Sequence, residues 1–458
     1  MYEERQNMLA KEGVGKLLLK FSIPSGIGMF VMTLYNVVDT IFIGHTVGFM
    51  GIAGLSIAFP LQMMILGTAL VIGIGGASLI SRSLGANDFK KAELTLGNAA
   101  CLVIIISLFI SVIGISISGS LIIIMGASDT IFPYSKGYLD IILCGTVFQI
   151  FAIAIGTTVR AEGNVFVPMK SMILGASINI VLDALFIVGL GMGVQGAALA
   201  TILSTFISSI YLIIYYLSDK SSLKFHLKNF ILDLKISKEI CSVGISDFAR
   251  SAAMSIVIMF LNRALVFHGG DLLVAVFGIM GRVMMFSMTP IISIGQGLQP
   301  ILGFSYGAGQ YKRTVKAIRI ATTTSTAISV AFFTIIFLFP APIMGIFTND
   351  KNLIMEASHA ARVVFVGLSL VGYQVIGSVV FQSLGKAVPA FLTASSRQIL
   401  FLLPLIIVLP RFFKLAGIWI SFPVADLFAF ILTLILLTPL MNELRSNEAF
   451  INRPDEQA

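Results

Sequence analysis

Apolar residues run along this chain in long blocks, each ended by a short polar cluster or a Gly/Pro pair. Cys101–Met125, Ala321–Pro340 and Leu427–Leu440 carry no charge at all. Most blocks reach the ~20 apolar residues that a helix needs to cross a ~30 Å hydrocarbon core. Breaking the chain at the clusters predicts twelve membrane helices. The first six cover 16–44, 51–82, 91–125, 131–161, 166–190 and 194–217; the second six cover 238–267, 271–304, 312–340, 352–384, 389–410 and 416–440.

Composition agrees with the pattern. Of 458 residues, 57% are hydrophobic and 11% charged. A soluble domain with that mixture would expose apolar surface it cannot bury, so the expected partner is the lipid bilayer. The formal charge of +8 does not point to nucleic acid, because the basic residues sit in short connectors and not on an aromatic-studded face. Cys101, Cys144 and Cys241 form no CxxC and fit no disulfide framework, which leaves them as small packing residues. Met1–Lys20 is of mixed polarity and does not read as a cleaved leader.

Charge sets the orientation. One series of connectors holds 22 Lys and Arg, among them Lys11, Lys90, Lys170, Lys228, Lys316, Lys386, Arg397 and Arg453, while the opposite series holds four: Lys136, Lys351, Arg411 and Lys414. The positive-inside rule then places both termini in the cytoplasm, as an even helix count also requires. The chain is expected to be a multi-pass membrane protein.

The halves repeat at an offset of 222 residues. Gly73–Ala92 lies over Gly295–Thr314 without a gap, with six of 20 positions identical: Gly73/Gly295, Gly75/Gly297, Ser83/Ser305, Gly85/Gly307, Ala86/Ala308 and Lys90/Lys312. Gly163/Gly385 keeps the offset. Shared membrane composition explains common Leu and Ile, but not Gly and Lys at one spacing. The fold expected is therefore all-α integral membrane, twelve helices in two parallel-repeat six-helix lobes, over 1–217 and 238–458, with the polar segment 218–237 as a cytoplasmic linker.

An ionisable residue inside a span is expensive and points to function. Asp39 lies in the first span and Asp183 in the fifth; Asn36 and Asn179 precede them by three and four residues, so each Asn shares a helical face with its Asp. Thr201 lies in the sixth span. All three depths come out at ~8–11 Å below the outer boundary, at ~1.5 Å per residue. Together these groups could enclose a small cation or share a proton; the alternative is a pair of structural carboxylates. The repeat places Leu261 and Pro404 opposite Asp39 and Asp183, so the cation site is expected in the first lobe alone. Methionines Met254, Met259, Met280, Met284, Met285 and Met288 crowd the seventh and eighth spans. Flexible thioethers suit a site for varied apolar shapes, and equally suit ordinary packing. With Met32 and Met63 from the first two spans, Met259, Met284 and Met288 are the expected cavity lining. Pro24 should bend the first span.

The segments FSIPSGIGMFVMTLYNVVDTIFIG (Phe21–Gly44), RAEGN with Pro168, ASIN followed by Asp183, and GVQGAALAT (Gly193–Thr201) resemble the multidrug and toxic compound extrusion (MATE) family. The likeness is greatest to its DinF-like and MepA-like prokaryotic branch and extends over nearly the whole chain. It implies cation-coupled export of organic, often cationic, drugs by alternating access, in a prokaryotic cytoplasmic (inner) membrane; a monomer is expected. It further implies a sodium or proton site on Asp39, Asn179, Asp183 and Thr201, with no cofactor beyond the coupling ion. Gln374 stands where some members carry a carboxylate in the tenth span, which makes a second-lobe ion site doubtful. A flippase for a lipid-linked precursor is the alternative, kept open by Arg250 and Arg282. An enzyme is disfavoured by the lack of HExxH or a nucleophile–base pair, and an ATP-driven pump by the lack of GxxxxGK[ST].

Overall fold

The computed structural model describes residues 2–451; Arg453 and the rest of the C-terminal tail lie outside it. Helices follow one another with no strand among the described residues. After a short N-terminal helix, Tyr2–Lys11, the spans of the first half are Val14–Thr46, Met50–Gly85, Phe89–Ile124, a pair Phe132–Cys144 and Thr146–Ala161 bent by 56°, Phe166–Gly189 and Gly193–Leu217. Those of the second half are Leu234–His268, Leu272–Gly307, Tyr311–Leu338, Lys351–Ser383 and Ala387–Glu448. The last is two helices, because Lys414 (φ 49°, ψ −132°) interrupts it. Counting the bent pair as one span and the last stretch as two gives twelve among the described residues.

The fourth span breaks at Gly145, which caps Phe132–Cys144 and precedes Thr146–Ala161. At Gly145 a Cβ would stand 2.3 Å from Ile202 Cγ1, so only glycine lets the sixth span approach there.

Three chain reversals recur at the repeat offset. Gly48 (φ 78°) matches Gly270 (φ 67°), Asn87 (φ 59°) matches Gly309 (φ 67°), and Gly163 (φ 87°) matches Gly385 (φ 73°). A left-handed residue is a common way to end a helix, and Asn is the side chain that tolerates it best after Gly. The halves thus share backbone conformation at positions where the side chains need not match.

The packing divides into two compact bodies. One comprises the N-terminal helix and Ile23–Gly244; the other comprises Glu12–Ser22 and the chain from Ile245 onward. The chain therefore changes body after Ser22 and after Gly244, again 222 residues apart. Within the first body the start of the seventh span lies on the second span. A Cβ on Gly75 would be 2.0 Å from the Ile240 carbonyl oxygen, and one on Gly244 would be 1.9 Å from that of Val71. Within the second body Gly297, the repeat partner of Gly75, meets Phe21 and Ser22 in the same manner. Small residues let membrane helices approach to backbone contact, which dispersion then favours.

Each body has its own core. Ile43, Ile65, Ile72, Leu102, Ile142 and Ile150 are in the first; Val257, Leu265, Val283, Phe365, Leu368 and Phe422 are in the second. Outward faces are apolar too: Ile105, Leu108, Phe109 and Val112 on the third span are exposed, as lipid contact requires.

One expectation is corrected. Arg397, read from sequence as a connector charge, lies in a π-helical turn, Ser396–Leu402, inside the eleventh span. Its Nε donates to Asp426, and the two side chains are 15% and 1% exposed. It therefore neutralises a buried acid and does not contribute to orientation.

Candidate cation site

The first body brings Asp39 and Asp183 together. Asp39 is on the first span; Asp183 is the last α-helical residue of the fifth, followed by a π-helical turn over Ala184–Gly189. Such turns add a residue to the helix and recur at functional sites. Asp39 is 6%, Asn179 1% and Asp183 0% exposed. Asp39 is near enough to act electrostatically on Asp183, and both carboxylates act on the hydroxyls of Tyr35 and Tyr138. Gln62 Nε2 donates to the Tyr138 hydroxyl at 2.6 Å.

What distinguishes this cluster is what it leaves unsatisfied. Among the described residues, Asp39 Oδ1, both Asp183 oxygens and both amide atoms of Asn179 are buried without a hydrogen-bond partner. Buried polar groups are ordinarily paired, and a buried carboxylate without a partner is costly. The carboxylates of the second body are provided for differently. Asp247 takes bonds from Gln382 Nε2 at 2.7 Å and from Arg250, and Asp426 takes one from Arg397. In the first body Asp140 holds Lys136 at 2.5 Å. No such cation faces Asp39 or Asp183 in the ion pairs of the described residues. The set of two carboxylates and an amide oxygen fits a hard monovalent cation or a shared proton, either of which would compensate the unpaired carboxylates.

The remaining expected residues are placed as follows. Thr201 is half-buried on Gly193–Leu217, and its carbonyl accepts from Ser204 and Thr205. Asn36 is exposed and its Nδ2 donates 2.8 Å to the Met32 carbonyl, so it does not share the buried setting of Asp39. Met32 and Met63 are half-buried and Met259 is 53% exposed. Met284 and Met288 are half-buried and pack against the core of the second body. Pro24 is buried in a helix that runs on through it from Val14 to Thr46.

Tyr35, Tyr138 and Gln62 escaped the sequence reading. Tyr35 is one helical turn before Asp39, a spacing that marks a shared face. Tyr138 and Gln62 carry no such local signal.

Comparison with known proteins follows the same lines. The MatE family profile matches residues 24–185 and 249–408. The multidrug export protein MepA of Staphylococcus haemolyticus (strain JCSC1435) is 25% identical over 449 residues, 98% of this chain and 99% of that one. The MATE multidrug transporter DinF-BH, solved in complex with rhodamine 6G, is 40% identical; the match covers 94% of this chain and 96% of that one, with a TM-score of 0.88. An outward-facing MATE family transporter of the MOP superfamily is 27% identical over 96% of this chain and 98% of that one, with a TM-score of 0.89. With the fold matched along nearly its whole length and the profile matched in both halves, the chain belongs to the MatE family and is a secondary transporter, not an enzyme.

Proposed function

We propose that this protein exports organic, often cationic, compounds in exchange for sodium or protons, by alternating access between two six-helix lobes, 1–217 and 238–458, joined through 218–237. The observation that carries the reading is the pair of buried, unpartnered carboxylates Asp39 and Asp183 in one lobe. A cation satisfies them; without it the lobe bears an electrostatic cost that a different helix arrangement can relieve. Organic export rests on the relatives, two of which are named as multidrug transporters. Coupling then needs only that the cation bind the two arrangements unequally, since a ligand shifts an equilibrium by its differential affinity alone. The protein acts as a monomer in the prokaryotic cytoplasmic membrane, with both termini on the cytoplasmic side. The residues proposed to hold the compound are Met32, Met63, Met259, Met284 and Met288.

The test is transport of rhodamine 6G by the purified protein in proteoliposomes, with sodium and proton gradients imposed separately. One of the two should drive the dye against its own gradient. Dye that moves only down its gradient under both conditions would refute antiport. Replacing Met284 and Met288 with Ala in the same assay should change the dye's apparent affinity; an unchanged affinity makes both packing residues only.

Pro24 is the proposed hinge of the first span. Its ring denies the helix one backbone hydrogen bond, and the change of body falls between Ser22 and Ile23, one residue before it. Pro24→Ala should lower dye transport several-fold with little change in unfolding temperature. Equal loss of transport and of folded protein would make Pro24 purely structural.

A further inference from the structure

Glu162, in the RAEGN segment after the fourth span, is 2% exposed and has no part in the cation site. Its carboxylate collects partners from distant parts of the sequence. Tyr215 donates its hydroxyl proton to it. Ser221 Oγ donates at 3.0 Å, and the backbone amides of Ser222 and Leu223 donate at 2.9 and 3.3 Å. Arg5, from the N-terminal helix, stands 3.6 Å away. Arg5 also donates to the Tyr215 hydroxyl at 2.9 Å and to the Lys220 carbonyl at 2.8 Å. Burial raises the Glu162 carboxyl above its ordinary range, and these bonds offset that only in part. Around this centre, Leu9 is 2% exposed and packs on Gly163, where a Cβ would be 3.2 Å from Leu9 Cδ1. Gln6 Nε2 donates to Asn87 at 3.2 Å. The N-terminal helix is thus fastened to the first body by a buried ion pair, a buried leucine and a side-chain amide.

Three residues past Leu9, the chain is fastened elsewhere. Glu12 belongs to the second body. There the Glu12 carbonyl accepts from Arg313 Nη2 at 2.7 Å, and its carboxylate holds Lys16 and Lys20 at 3.1 and 3.4 Å. Only Ala10 and Lys11 separate the two anchorages. Three helical residue steps advance about 4.5 Å, and the same steps fully extended span about 10 Å. The connection can therefore lengthen by roughly 6 Å before one of its anchorages must release.

From this connectivity we infer that the N-terminal helix is a strap. Docked through Arg5 and Glu162, it opposes separation of the two bodies on the face that carries it, and so favours the transporter conformation closed on that face. The inference rests on the alternating-access reading, and predicts a further control on it: freeing the strap, or lengthening it, should increase the population open on that face.

The test uses full-length protein with Cys101, Cys144 and Cys241 replaced by Ser. Spin labels are placed on Lys90→Cys and Lys312→Cys, exposed sites at equivalent positions of the repeat, one in each body. Distance distributions by double electron–electron resonance are compared for the parent, Arg5→Ala, Glu162→Gln, and a chain with six Gly/Ser residues inserted after Lys11. The insertion leaves the Glu162 cluster intact, so its result does not depend on whether a substituted clasp still folds. The long-distance population should rise about fivefold or more in all three, the lower range of ordinary conformational coupling. An insertion variant with the parent's distribution would overturn the strap, even if the clasp substitutions shift theirs. Dye transport by the parent under an imposed gradient reads the alternating-access proposal separately, so failure of the strap leaves that reading standing and is distinguishable from its failure.

Discussion

Asp39→Asn and Asp183→Asn should each bring gradient-driven dye export down to the level of empty liposomes, at normal membrane abundance. Asn preserves size and polarity but can neither bind a proton at neutral pH nor offer a charge to sodium. Each ~1.4 kcal/mol of coupling lost is a factor of ten, so a loss of tenfold or more is expected. Stability should move the other way or stay unchanged. Asp39 Oδ1 and both Asp183 oxygens lack partners in the buried state, and removing an uncompensated carboxylate removes a desolvation cost. The pairing of the two outcomes separates a coupling role from a structural one. If Asp39 and Asp183 were supporting groups, their replacement would lower the unfolding temperature along with transport. Full drug resistance in either single variant would place the coupling site elsewhere.

Arg397→Ala should have the largest effect on stability. It strands the carboxylate of Asp426, which is 1% exposed and whose Oδ1 receives, among the described residues, one bond, that from Arg397. Its other oxygen has no partner, and Gly367 stands so close that a Cβ there would be 2.2 Å from it. Breaking a buried pair by deleting one member costs about 3–5 kcal/mol, whereas replacing both members can be nearly neutral. The double variant Arg397→Gln with Asp426→Asn should therefore recover most of the loss seen in Arg397→Ala. Thermal unfolding in detergent would check this. A single variant as stable as the parent would show that water or a rearranged side chain already serves Asp426.

Spans are readable in the sequence because hydrocarbon imposes a length and a polarity on every crossing. Where Gly48, Asn87 and Gly163 end helices, the pattern and the backbone agree. The merged stretch Ala387–Glu448 divides at Lys414, close to the predicted gap between 410 and 416. Asp39, Asn179 and Asp183 stand out because a polar side chain is conspicuous in an apolar run. Tyr138 and Gln62 do not, since neither carries a charge and their meeting depends on packing between helices. Arg397 misleads because a charge ten residues into a span reads as a connector when a π-helical turn and a distant acid cannot be seen. Glu162 is hidden for the opposite reason: in a polar loop an acid is unremarkable, and only the fold shows that it is buried.

In the proposed exchange, cation and organic compound compete through the Asp39–Asp183 pair. Linkage makes that competition measurable without a membrane, because whatever the cation does to the compound's affinity the compound must do to the cation's. Rhodamine 6G would be added to the purified protein in weakly buffered detergent solution, with proton release followed by a pH indicator and sodium release by an ion-selective electrode. Binding of the dye by the parent should release one of the two ions, and Asp39→Asn and Asp183→Asn should bind dye with no release. Dye binding that releases neither ion from the parent, or release that persists unchanged in both variants, would contradict it.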